Sequence, residues 1–280
     1  MQYGFIIPGG SIHTIIELAQ EAEAAGWDGV FYWDGICIEG AGPMYDPWVT
    51  LAAIAMSTKR VRIGAMLTPP SRRRPWKLAR ETMSVDHLSH GRLILPVGLG
   101  AIDDGGFGKV GEPTDRKTRA QLLDESLEIL TGLWSGQPFS FHGQHYHIEE
   151  MTFLPPPVQS PRIPIWVVGA WPRPKSMQRV LPYDGLLPNK INPDGSFGEV
   201  TPADIAAMKA YIDEHRTATT PFDIVVEGET PGDNYQKADE IVHPYAEAGA
   251  TWWMEANWDA SRRHEVPVRI KQGPPRPVLR

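Results

Sequence analysis

The sequence holds one cysteine, Cys37, in 280 residues. An internal disulfide is therefore excluded, and a reducing, cytoplasmic setting is expected. No run approaches the roughly 20 apolar residues that a membrane helix needs. The opening stretch MQYGFIIPGG has neither the basic region nor the long apolar segment of a secretory leader, so none is expected. Positive charge is in short supply. Lys and Arg total 27 against 34 Asp and Glu, a formal net charge of −7, which argues against a nucleic-acid partner. Several catalytic signatures are missing as well. There is no GxSxG and no GKS or GKT, and Gly98-Leu99-Gly100 runs on as AIDDGG, so the dinucleotide fingerprint is not met.

What the sequence has in quantity is tryptophan, glycine and proline, with 10, 27 and 27 residues. So many Gly and Pro imply many loops. So many Trp suit either apolar walls for a planar ligand or a Trp-rich core. Strand-like and helix-like segments alternate. Apolar runs at 3–8, 29–33, 61–67, 93–99, 165–168, 185–187, 222–227 and 251–255 read as strands. Helices are expected at 12–25, 47–58, 75–89, 116–134, 174–180, 202–215 and 235–248, with Ser11 and Asp46 as N-caps and Pro47 at the first helical position. The joints EAEAAGWDGVFY and YAEAGATWWME share one logic, a helix closed by glycine and followed by a buried strand. Residues 137–157 interrupt the alternation and suggest an inserted hairpin after the fourth helix. Eight such units predict an α/β fold, a (β/α)8 barrel forming a single domain over 1–280. The runner-up is an open doubly wound sheet, which would more often carry a glycine-rich phosphate loop after strand one.

In a barrel the chemistry sits on the loops after the strands. The strand ends bring forward Asp34 after four large apolar residues, and also Gly98, Gly100, Val168, Gly169, Ala170, Trp171 and the Glu227-Gly228-Glu229 stretch. Small residues there let backbone approach a flat or phosphorylated ligand, or simply make tight turns. Asp34 either holds a ligand or caps a loop. His142, His145 and His147 look like metal ligands, with His145 and His147 expected on one strand face, but no carboxylate or cysteine completes a set. No metal is expected. Arg72-Arg73-Arg74 precede a helix start and read best as a solvated loop, though such a run can bind an anion.

Taken in order, AEAAGWDGVFYWD, DPWVTLAAIAMSTKRVRIGAMLTP, RRRPWKLARETMSVDHLSHGRLILPVGLG, LLDESLEILTGLWSGQPFSFHGQHYHI, FLPPPVQSPRIPIWVVG and YDGLLP resemble the luciferase-like monooxygenase family. The resemblance implies a barrel oxidoreductase using reduced FMN or reduced coenzyme F420 on a small organic substrate, with a separate flavin or F420 reductase as a possible partner. It implies that Asp34, Met66, Thr68, Gly98 and Gly100 surround the ring. Val168, Gly169, Ala170 and Trp171 correspond to the phosphate-side loop. It also implies a homodimer, for which the apolar face of Pro47–Met56 and the helix after Arg116 are the expected surface, and a non-proline cis peptide near Met66-Leu67. There are two departures. Gly35 stands where many members carry a histidine acid or base, leaving Asp34, Asp103 or Asp104 as substitutes. Pro96 stands where the fourth strand usually has glycine, and should shorten the hydrogen bonding there. Two other readings stay open: a flavin-binding barrel without turnover, and a metal-dependent barrel hydrolase using HGQHYH.

Overall fold

A computed structural model describes residues 1–275. Helix starts follow the caps. Ser11 accepts from Thr14 N ahead of α1 (Ile12–Ala24), and Asp46 accepts from Trp48 N and Val49 N ahead of α2 (Pro47–Ser57). Asp115 opens α4 (Arg116–Trp134) by accepting from Thr118 N. Proline at the first position opens α3 (Pro75–Leu88) and α5 (Pro174–Val180). A Thr201–Asp204 capping box opens α6 (Pro202–His215). The last two helices are α7 (Tyr235–Glu247) and α8 (Val266–Lys271).

The parallel strands are β1 (Gln2–Ile6), β2 (Gly29–Tyr32), β3 (Arg62–Ala65), β4 (Leu95–Val97), β7 (Ile165–Trp171), β8 (Gly185–Ile191), β10 (Asp223–Gly228) and β11 (Trp252–Glu255). They pair in the order β3-β2-β1-β11-β10-β8-β7-β4. The ring closes between β3 and β4 through the bridges Ile63–Leu93 and Thr68–Val97 alone. The result is a nearly closed (β/α)8 barrel, as expected, and not an open sheet. Weak closure and Pro96 go together: β4 has three residues, and proline brings no N–H to it. The cis peptide between Met66 and Leu67 is present.

Strand ends differ from expectation. β7 runs three residues past Val168 because β8 pairs with it as far as Trp171–Lys190. A two-residue strand, β9 (Phe197–Gly198), adds antiparallel to β8 and was not foreseen. The hairpin after α4 is β5 (Phe139–His142) with β6 (His147–Met151). Across it the His142 and His147 rings lie 4.5 Å apart. His145 sits in the turn and reaches Gln121, so it does not share a face with His147 as expected.

Inward and outward residues alternate along each strand, separating a core between sheet and helices from one inside the barrel. The inner core holds Phe31, Trp166, Trp252 and Met254, all essentially without exposure. Four inward positions on the facing strands are glycine. A Cβ at Gly4 would strike Met254, at Gly29 Phe31 and Trp252, at Gly64 Phe31 and the Ile94 carbonyl, and at Gly185 Trp166. The glycines make room for the large rings. On the outside, α2 exposes Val49 and Met56 on the face expected to associate.

Candidate functional site

Two cavities open at the C-terminal ends of the barrel strands. The larger, about 930 Å³, has an apolar lining that includes Met66, Leu67, Leu99, Val168 and Ile191. One wall is cationic, made by Arg116, Lys117 and Arg119 at the start of α4 and by Arg173, Lys175 and Arg179 around α5. Among the described residues only Arg179 of these six is ion-paired, to Asp124. Burial, together with the neighbouring guanidiniums of Arg173, Arg119 and Arg179, lowers the Arg116 pKa from its ordinary value. Such mutual repulsion is what a bound anion would relieve. Arg119 is buried and donates to the Leu99 and Gly100 carbonyls, which holds the loop after β4 against α4. The smaller cavity, about 640 Å³, shares Met66, Leu67, Val168, Asn189 and Trp258 with the larger and adds Glu227, Tyr245 and Trp253.

Asp34 stands at the end of β2, with its side chain fully buried. Its Oδ2 accepts from Arg73 Nε at 2.9 Å and its Oδ1 from Arg73 Nη2 at 2.8 Å. Arg72 Nη2 reaches Oδ1 at 3.1 Å and the Asp34 carbonyl at 2.6 Å, and Arg72 also grips Asp104. The Asp104 carboxylate accepts from the backbone N–H of Ile36, Cys37 and Gly106. Reading Arg72-Arg73-Arg74 as a solvated loop is thus wrong for two of the three. Arg72 and Arg73 keep only 3% and 14% side-chain exposure. They clamp the loops after β2, β3 and β4 together, because two buried carboxylates require cationic partners. Asp103 is exposed, while Asp104 is buried and fully engaged. A Cβ at Gly35 would lie 2.7 Å from Trp33 and 3.1 Å from Met44, so this chain's own side chains occupy the space beside it.

Asp104 also gives an acid-stability prediction. Burial opposes its ionisation, but the three N–H donors and Arg72 win and lower its pKa to about 2. A carboxyl depressed from its ordinary 3.8 stabilises the fold above that value, and the contribution fades as pH falls toward 2. The shift corresponds to about 2 kcal/mol. Denaturant midpoints at pH 6 and pH 2.5 should therefore differ less in Asp104→Asn than in the native protein. An equal difference in both would remove Asp104 as a source.

The other expected site residues divide. Met66 lines both cavities, whereas Thr68 is fully buried, absent from either lining, and ties β3 to β4 through its backbone. Gly98 and Gly100 line the larger cavity, but a Cβ on either would meet protein. It would lie 2.8 Å from Val168 at Gly98, and 2.8 Å from Pro69 at Gly100, where φ is also +75°. Val168, Gly169, Ala170 and Trp171 are strand rather than loop. Val168 and Ala170 face the larger cavity. Gly169 packs outward against Leu186 and Met177, and Trp171 packs edge-on against Tyr211. The Ala170 N–H is already taken by Ser176 Oγ at 2.9 Å. No sequence pattern announces the cationic wall, because its members come from two distant helices, α4 and α5.

Among the described residues no group of three or more His, Cys, Asp or Glu is placed to hold a metal. No helix among them is long and apolar enough to cross a membrane.

The family model described as luciferase-like monooxygenase matches residues 2–275. The F420-dependent glucose-6-phosphate dehydrogenase of Tsukamurella paurometabola is 31% identical over 164 residues, 56% of this chain and 48% of that one. The chain spans less than half of the length of the curated relatives it matches first. Among solved structures, the coenzyme F420-dependent tetrahydromethanopterin reductase of Methanopyrus kandleri superposes with a TM-score of 0.71, at 16% identity, over 97% of this chain and 96% of that one. The FMN-bound oxygenating constituent of 3,6-diketocamphane monooxygenase from Pseudomonas putida gives 0.64 at 18% identity over 88% and 72%. At such identities the superpositions show the fold alone.

Proposed function

The chain belongs to the luciferase-like monooxygenase family, and from that premise we propose that it is an oxidoreductase using reduced FMN or reduced F420 on a small organic substrate. The observation that carries this reading is the larger cavity, an apolar slot with a cationic wall at one end. Both cofactors join a flat ring system to a phosphate-bearing tail, and the two surfaces suit the two parts. When bound, either cofactor supplies a hydride, and reduced flavin also activates oxygen.

The chain's own residues divide the remaining work. Met66, Leu67 and Val168 present apolar surface to the ring and keep water from it. Arg116, Arg119 and Arg173 face the anionic tail, with Arg119 already anchored through Leu99 and Gly100. Asp34 holds Arg72 and Arg73, and through them the loop that carries Pro69 into the cavity wall. Its role in this reading is positioning. A second reading, a barrel that binds flavin without turnover, draws on Gly35 and on the full engagement of Asp34.

Calorimetric titration with FMN, reduced FMN and F420 tests the proposal. At least one should bind. Each charge-assisted hydrogen bond is worth about 1.5–3 kcal/mol, so Arg116→Ala or Arg173→Ala should weaken that binding by roughly 10–100-fold. Absence of binding by all three ligands would sink the oxidoreductase reading. Tight binding with no re-oxidation of reduced cofactor by any acceptor would favour the second.

A further inference from the structure

Glu227 occupies the next-to-last position of β10. Val225 points into the barrel and Val226 outward, so strand alternation turns Glu227 inward again, one layer nearer the mouth. There it lines the smaller cavity, the one that shares Met66, Leu67 and Val168 with the cofactor-sized cavity. It is an exposed residue, and its open side gives onto this cavity. Among the described residues its one side-chain hydrogen-bond partner is Trp258, whose Nε1–H donates to Oε1 at 2.5 Å.

The neighbouring charges do not neutralise it. Glu199 and Glu229 line the same cavity, and Glu229 is ion-paired with Arg262. Tyr245, the remaining titratable group of that lining, uses its hydroxyl on the Val200 carbonyl. Among the described residues no cation pairs with Glu227. Burial raises its pKa from the ordinary 4.5, and the Trp258 hydrogen bond opposes this in part. An acid whose proton is held more tightly than an ordinary glutamate's, beside an apolar ring slot, can supply the proton transfer for which Gly35 offers no side chain at the end of β2.

We propose that Glu227 is the proton donor and acceptor of this site, acting on a neutral carbonyl substrate held in the smaller cavity between it and the ring. The inference rests on the cofactor reading above. In the reducing direction, the bound reduced cofactor would supply the hydride for the new C–H bond at the carbonyl carbon and would be left oxidised. The C=O π pair moves to oxygen, the O–H bond of Glu227 breaks, and its proton forms the new O–H bond. The carboxylate left behind keeps the Trp258 hydrogen bond and regains a proton from solvent. Oxidation of the alcohol is the reverse.

The test begins without cofactor. Carboxyl ¹³C NMR of glutamate-labelled protein should show one resonance, missing in Glu227→Gln, whose midpoint lies above the ordinary glutamate value. Trp258→Phe removes the donor that favours the carboxylate, so the midpoint should rise further. Loading with FMN or F420, whichever binds, should shift the same resonance, because the two cavities share walls. With reduced cofactor and cyclohexanone as the neutral carbonyl probe, Glu227→Gln should lower kcat about 10²–10⁴-fold and leave cofactor Kd unchanged. Glu227→Asp should retain part of the rate. An ordinary midpoint, a resonance blind to bound cofactor, or a Gln variant at the native rate would each overturn the inference. Failure of both cofactors to bind would instead remove the reading beneath it.

Discussion

Replacing Asp34 by alanine should destabilise the protein by about 3–5 kcal/mol, the range for breaking a buried ion pair by removing one partner. The side chain is fully buried and neutralises Arg73 outright and Arg72 in part. Arg72 would still have Asp104, but Arg73 would have no carboxylate partner at 14% side-chain exposure. Three loops are joined through this cluster, so the loss should spread to the cavity wall and weaken cofactor binding as well. Asp34→Asn keeps the shape and an acceptor oxygen and should fall between alanine and the native protein. Denaturant midpoints measure this directly. If Asp34→Asn kept its stability and cofactor affinity while its rate fell alone, Asp34 would be an acid or base and not a clamp. The distinction matters because the sequence left both roles open.

That ambiguity shows where sequence reading stops. The starts of α1 and α2 were legible because capping is local. Ser11 and Asp46 satisfy N–H groups two or three residues away. β2 was legible because its four residues are all buried. The arginine run was not, since its partner Asp34 is 38 residues from Arg72 and only the folded barrel brings them together. Glu227 could be placed at a strand end, but its environment depends on Trp258, 31 residues further along. Nor could the extension of β7 to Trp171 be read locally, because it is imposed by the neighbouring β8. Tryptophan count alone could not separate core from ligand wall. The structure assigns Trp27, Trp166 and Trp252 to the interior and places Trp33 and Trp258 on the cavities.

Trp166→Ala should accordingly cost about 3–5 kcal/mol, the range for emptying a buried aromatic site, with no direct loss of a cavity-lining group. Trp166 is fully buried, stacks on Phe31 with ring centroids 5.7 Å apart, and meets Trp252 edge-on at 5.3 Å. The space it leaves has little means of closing. Its partner on β8 is Gly185, and Gly29 and Gly64 line the same interior, so no neighbouring side chain at those positions can move in. Residual cavity volume sets the cost of such a change, which places this one toward the upper end. A polar term adds to it. Trp166 Nε1 donates to Asp223 Oδ2 at 3.1 Å, and burial already raises the Asp223 pKa, so losing that donor leaves a poorly solvated carboxyl that still accepts from Thr251. Trp166→Phe keeps most of the apolar volume and gives up the N–H, and should lose less than half as much. Urea titration of both variants, with cofactor calorimetry on the folded fraction, would check the pair. A near-native midpoint for Trp166→Ala would show that the aromatic trio is not what the barrel closes around. Unchanged cofactor affinity beside a large stability loss would place Trp166 with the fold and leave ligand contact to the tryptophans at the mouth.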